Sequence, residues 1–221
     1  MSDFEKISPA EFRALALRPP EEIEFYGYDN VLLREVFWQR LVVMDQLLCR
    51  HVRGRSSCLD LGSGSGAYLP TLARRFTRVV GADRNTADAA RMVASRSLDN
   101  VTLVERDVFA IPFGDGEFDA IVAADVLEHF PETQPIARRL HDWLSADGVL
   151  LTSLPTESWI YALLRKVFKV TKPEDHYFAG REVEDVLAAV GFEPLERRFV
   201  PLGVPLTSLF LVTAWRKQAE L

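Results

Sequence analysis

The amino-acid sequence predicts an α/β protein: a seven-stranded, mostly parallel sheet with helices on both faces and an antiparallel hairpin at its C-terminal end. Three observations predict it. From residue 56 onwards, short strand patterns alternate with helical ones. Those strands are apolar almost throughout, as strands buried on both faces are. The last two, "FEPLERRFV" and "SLFLVTAWRK", follow each other without a helix between them. A parallel return needs a crossover of about a dozen residues, so this pair is expected to run antiparallel.

The elements follow in order. Residues 1–30 are polar and irregular, and "VLLREVFWQRLVVMDQLLCRHV" then reads as a long helix with a wide apolar face. "CLDLG" is a strand, and "GAYLPTLARRF" is a helix with Leu69, Leu72, Ala73 and Phe76 on one side. "RVVGAD", "VTLVERD", "FDAIVAAD" and "GVLLTSL" read as strands, separated by the helices "TADAARMVASRS" and "PIARRLHDWL". "REVEDVLAAVG" is the last helix before the hairpin. The chain is expected to form a single domain, 1–221. Its parts are an N-terminal helical lid segment (1–52), a ligand-binding half (56–155), an inserted amphipathic helix (156–179), and the last helix with the hairpin (180–221).

Composition narrows the function. With 48% hydrophobic and 26% charged residues the chain is ordinary for a globular protein, and a net charge of −6 argues against bulk nucleic-acid binding. "MSDFEKISPAEFRALALRPP" has no signal-type apolar core, so a cytoplasmic location is expected. "VPLGVPLTSLFLVTAW" carries Pro201 and Pro205 and is too short to span a bilayer. Cys49 and Cys58 have no metal-ligand or redox spacing, so both are expected to be buried and reduced, and no metal site is expected.

The chemistry gathers in "CLDLGSGSGAYLP", where a buried-looking strand meets Gly62, Gly64 and Gly66. Backbone this bare lets a ligand come close, and open sheets of this kind bind ligands beyond the carboxyl ends of their strands. Four acids fall at successive strand ends: Asp60, Asp83, Asp107 and Asp125. Asp83 is placed to accept both hydroxyls of a ribose, because a carboxylate has two acceptor oxygens. Gly62, Gly64 and Ala67 formally meet the dinucleotide fingerprint, and Arg84 reads as a partner for a 2′-phosphate.

The wider setting separates the cofactors. "CLDLGSGSG", "VVGADRN", "VERDVFAIPFGDGEFDAIVAADVLEHF", "LSADGVLLTSLP" and "HYFAGREVEDVLAAVGFE" stand in the order and spacing of a known family. Over residues 56–216 the chain resembles the class I S-adenosylmethionine-dependent methyltransferases, in the small-molecule and quinone branch. That resemblance implies a Rossmann-like fold with S-adenosyl-L-methionine as cofactor and S-adenosyl-L-homocysteine as product. It implies that Asp60 and Gly62 lie beside the methionine part, with Gly64 under the adenosyl group. Asp83 would hold the ribose, Asp107 the adenine amino group, Val108 the ring edge, and the carbonyl near Ala123 or Ala124 the methionine ammonium. A nicotinamide-dependent oxidoreductase is the alternative, opposed by the terminal hairpin and by Asp60. A non-catalytic relative that binds without turnover is another.

Two histidines are candidate general bases for an acceptor that must lose a proton: His129 in "DVLEHF" and His176 in "EDHYF". His51 and His141 read as plain surface residues. "EFYGYDN" places Phe25, Tyr26 and Tyr28 where they either close over the site or pack on the sheet. In "ESWIYALLRKVFKVTK" an apolar arc faces a basic one. Residues 158–172 therefore suit peripheral membrane contact, or else a lid with a solvated basic face. The acceptor is expected to be a small, apolar or aromatic molecule, methylated at oxygen or carbon, with no nucleic-acid partner.

Overall fold

A computed structural model of the chain describes residues 4–16, 25–27, 30–156 and 180–218. Its helices are α1 (Pro9–Leu15), α2 (Val31–His51), α3 (Leu69–Ala73), α4 (Ala87–Arg96), α5 (Thr133–Trp143) and α6 (Gly180–Ala189). Its strands are β1 (Ser57–Leu61), β2 (Arg78–Asp83), β3 (Val101–Glu105), β4 (Phe118–Ala124), β5 (Leu144–Pro155), β6 (Phe192–Val200) and β7 (Phe210–Lys217). They form one seven-stranded sheet in the order β3-β2-β1-β4-β5-β7-β6. Strands β1 to β5 pair in parallel, and β7 runs antiparallel to both β5 and β6. The terminal hairpin is therefore as predicted.

Alternate residues of each buried strand feed two cores, one on each face. Cys58, Val79, Val122, Leu151 and Val212 meet α2, α3 and α4. Leu59, Val80, Ile121, Leu150 and Trp215 meet α5 and α6. This sandwiching explains why the strand patterns read as continuous apolar runs. Trp215 is fully buried and its indole N–H donates to Thr152 Oγ1 at 3.0 Å, so its polar atom is satisfied inside the second core. Asn30 caps α2, its side chain accepting from the Leu33 N–H at 3.1 Å.

Several expectations need correction. The helix after the glycine turn is only five residues, Leu69–Ala73, because Gly66 holds a positive φ of 78° and the helix cannot start until that turn is complete. Cys49 is exposed, whereas Cys58 is buried as predicted. Neither His51 nor His141 is a plain surface residue. His51 bonds to Glu196 at 2.8 Å, and the His141 ring stands edge-on to Phe192. The amphipathic segment 158–172 and His176 lie outside the described residues.

The His51 contact fastens the end of α2 to β6. Glu196 sits where the β6 register shifts and takes Arg50 at 2.6 Å and Arg198 at 2.5 Å as well as His51. Burial alone would raise its pKa, but hydrogen bonds from His51 and Arg50 and the charge of Arg198 hold it down at about 2, against 4.5 unperturbed. A depressed carboxylate contributes stability above its unfolded pKa and loses it as pH falls through the folded value. The melting temperature should therefore fall between pH 4.5 and 2, and Glu196→Gln should fall less steeply there. Parallel melting curves for the two proteins over that window would refute the assignment.

Candidate active site

The carboxyl ends of β1, β2, β3 and β4 meet at one edge of the sheet, and the glycine turn after β1 crosses it. Gly62, Gly64 and Gly66 all have positive φ, at 70°, 51° and 78°. At Gly62 the restriction is also spatial, because a Cβ there would stand 2.7 Å from Val126 Cγ2. The turn is pinned to β2 by Gly62 N–H, which donates to the Ala82 carbonyl at 2.8 Å, and is closed on itself by Gly66 N–H, which donates to the Ser63 carbonyl at 2.8 Å.

Asp83, at the end of β2, holds the same turn through its side chain. Its Oδ2 accepts from Gly64 N–H at 2.9 Å and its Oδ1 from Asn85 N–H at 3.1 Å. A carboxylate has about four acceptor positions, so two are used and the half-buried group retains capacity for a diol. The next residues are positioned by Glu105, whose Oε2 accepts from both the N–H and the hydroxyl of Thr86 at 3.0 Å. Those two bonds lower the Glu105 pKa. Arg84 projects beside them as an exposed side chain.

The other predicted acids differ among themselves. Asp60 is buried within β1 at 4% exposure. Asp107 is exposed and caps one 3-10 turn, its Oδ1 accepting from Phe109 N–H at 2.9 Å, while Val108 is buried under it. Ala124 ends β4 in register with Ser153. Asp125, partly exposed directly after β4, forms an ion pair with Arg40 from α2. His129 is partly buried in the 3-10 turn Leu127–His129 that follows β4. Among the described residues no cluster of three metal-ligating side chains occurs.

A parallel edge with a glycine turn also suits a dinucleotide, so the decisive point is the sequence family. Residues 59–152, which carry the turn and all the strand-end acids, match the profile described as a methyltransferase domain. Residues 59–152 are a methyltransferase domain. The sheet agrees, since dinucleotide folds of order 3-2-1-4-5-6 lack the inserted antiparallel β7.

The methyltransferase domain is similar to a protein-L-isoaspartate O-methyltransferase of Bradyrhizobium sp. strain BTAi1, 30% identical over 58% of this chain and 56% of that one. It is also similar to a ubiquinone biosynthesis O-methyltransferase of Ruegeria pomeroyi, 26% identical over 63% of this chain and 61% of that one. The chain spans about half the length of the first of these relatives. A likeness of fold links it to the 1,6-didemethyltoxoflavin-N1-methyltransferase of Burkholderia thailandensis. The TM-score is 0.65 at 20% identity, over 98% of this chain and 93% of that one.

Sequence reasoning missed Arg40 of α2, which reaches Asp125 after β4. It is 5% exposed, and its Nη2 donates to Tyr26 Oη at 2.8 Å. A signal was present: Phe37, Arg40, Leu41 and Met44 share one helical stripe, which places a charge within an apolar face. Tyr26 itself packs against Phe12 of α1 and against Phe37 and Trp38 of α2. The side chains of Phe25 and Tyr28 lie outside the described residues.

Proposed function

We propose that the chain is an S-adenosylmethionine-dependent methyltransferase that methylates a small, apolar or aromatic acceptor at oxygen or carbon. One observation carries it: within a methyltransferase domain, Asp83 braces a turn of positive-φ glycines and still presents carboxylate acceptor capacity at the strand edge. The residues present fit the cofactor. A Cβ at Gly62 would collide with Val126, so only glycine lets the turn pass this close to the segment after β4.

On this reading Asp60, Gly62 and the backbone at Ala124 receive the methionine part, with Gly64 and Gly66 shaping the turn under the adenosyl group. Asp83 takes the ribose hydroxyls, with Arg84 flanking them, and Asp107 with Val108 takes the adenine. The bound cofactor supplies an activated methyl carbon, and the protein's share is alignment, which can supply ~7–11 kcal/mol of a barrier. Residues 56–155 form the cofactor half and 180–221 the last helix and hairpin, with 156–179 the insertion between them.

His129 is the candidate base among the described residues, since it follows β4 at the donor edge; His176 is its counterpart in the insertion. The test is transfer of a labelled methyl group to a panel of apolar phenols, quinone precursors, amines and an isoaspartyl peptide. Label is expected in a phenolic or quinone-type product, and His129→Phe should slow it by ~10²–10⁴-fold without loss of cofactor binding. Label confined to the peptide or to amines would contradict the acceptor class.

A further inference from the structure

Asp125, directly after β4, holds a φ of 52° although it is not glycine. That region is disfavoured for any residue with a Cβ, even if Asp tolerates it better than most. Two contacts hold the residue there. Its N–H donates to the Ser153 carbonyl at 2.9 Å, and its carboxylate pairs with Arg40.

Arg40 is itself fixed from several sides. Its guanidinium carbon lies 4.9 Å from the ring centroids of both Phe37 and Phe210, and Tyr26 accepts from its Nη2. Burial opposes its charge, but Asp125 and Tyr26 more than offset that and raise its pKa. A planar fork held against two rings is a rigid template, and Asp125 must keep its backbone turned to meet it. The turn matters on both sides of Asp125. Ala124 precedes it, and Val126, which follows it, is the side chain that a Cβ at Gly62 would strike.

We propose that Arg40 is a positioning residue. Through Asp125 it fixes the left-handed turn 124–126, and so the backbone that receives the methionine end of the cofactor, while the adenosine end is built without it. This inference rests on the reading under Proposed function. Because Asp125 neutralises Arg40, the role assigned is one of shape and not of anion capture.

The test compares two ligands by calorimetry on the full chain: S-adenosylhomocysteine, and 5′-methylthioadenosine, which lacks the amino-acid end. Arg40→Gln is expected to weaken the first by about tenfold or more and the second by less than about twofold. Adding Asp125→Gly, which takes the left-handed turn without a Cβ, should restore most of the lost affinity. Removing one partner of a buried ion pair is often strongly destabilising, so Arg40→Lys provides a second variant that keeps the charge. It should show the same split at smaller size. If wild type binds both ligands and the variants lose both equally, or lose neither, the positioning role is overturned and the functional reading stands. If wild type binds neither, both fall.

Discussion

Asp83→Ala should weaken S-adenosylhomocysteine binding by ~10²–10⁴-fold, because two hydrogen bonds to a charged acceptor are worth ~1.5–3 kcal/mol each and every 1.4 kcal/mol is about tenfold. The structure adds a second cause of loss. The same carboxylate accepts from Gly64 and Asn85, so its removal also frees the glycine turn. Asp83→Asn separates the two effects: it keeps one carbonyl oxygen for the turn but has lost the charge and half the acceptor capacity. Its affinity should fall between wild type and Asp83→Ala in a calorimetric titration. An Asp83→Ala protein that binds as tightly as wild type would remove Asp83 from the site.

The second large effect is expected at Gly62. An added Cβ must occupy a φ of 70° and stand 2.7 Å from Val126 Cγ2. Left-handed strain in a non-glycine residue costs ~1–3 kcal/mol, and a chain of this length loses about 2–4 °C of melting temperature per kcal/mol. Gly62→Ala should therefore lower the melting temperature by roughly 2–12 °C and also weaken cofactor binding. Gly203 is the control, because it shares a φ of 71° yet nothing lies within 4 Å of its added Cβ. Gly203→Ala should cost only the strain and leave binding unchanged. Val126→Ala placed in Gly62→Ala should recover part of the loss. Equal effects at Gly62 and Gly203 would show that the contact with Val126 is immaterial.

What the sequence made legible follows from what its patterns measure. β2 spans Arg78–Asp83 and β6 spans Phe192–Val200, the stretches quoted from sequence, because burial on both faces or an uninterrupted hairpin leaves a local trace. β5 begins at Leu144, four residues before the predicted start at Gly148, since polar Ser145 and Asp147 hide an extension set by pairing with β4. The glycine turn and Asp83 were visible together because both sit at one strand-to-helix junction and its neighbour. Their hydrogen bond was not, since nothing in the spacing says that a carboxylate will brace the turn as well as face a ligand. Asp125 was read as one more edge acid, and its pairing with Arg40 depends on α2 folding back over the sheet. Asp45 shows the same effect: it is 1% exposed and bound by Arg75 at 2.5 Å and 2.8 Å, a tie between α2 and the end of α3 that no local pattern encodes.

The most direct measurement is a calorimetric titration of the intact chain with S-adenosylhomocysteine, S-adenosylmethionine, NADH and NADPH in parallel. The two adenosyl ligands should bind at a single site, and neither nicotinamide should produce heat beyond dilution. Binding of a nicotinamide, or of none of the four, would contradict the assignment of the glycine turn to a methyl donor.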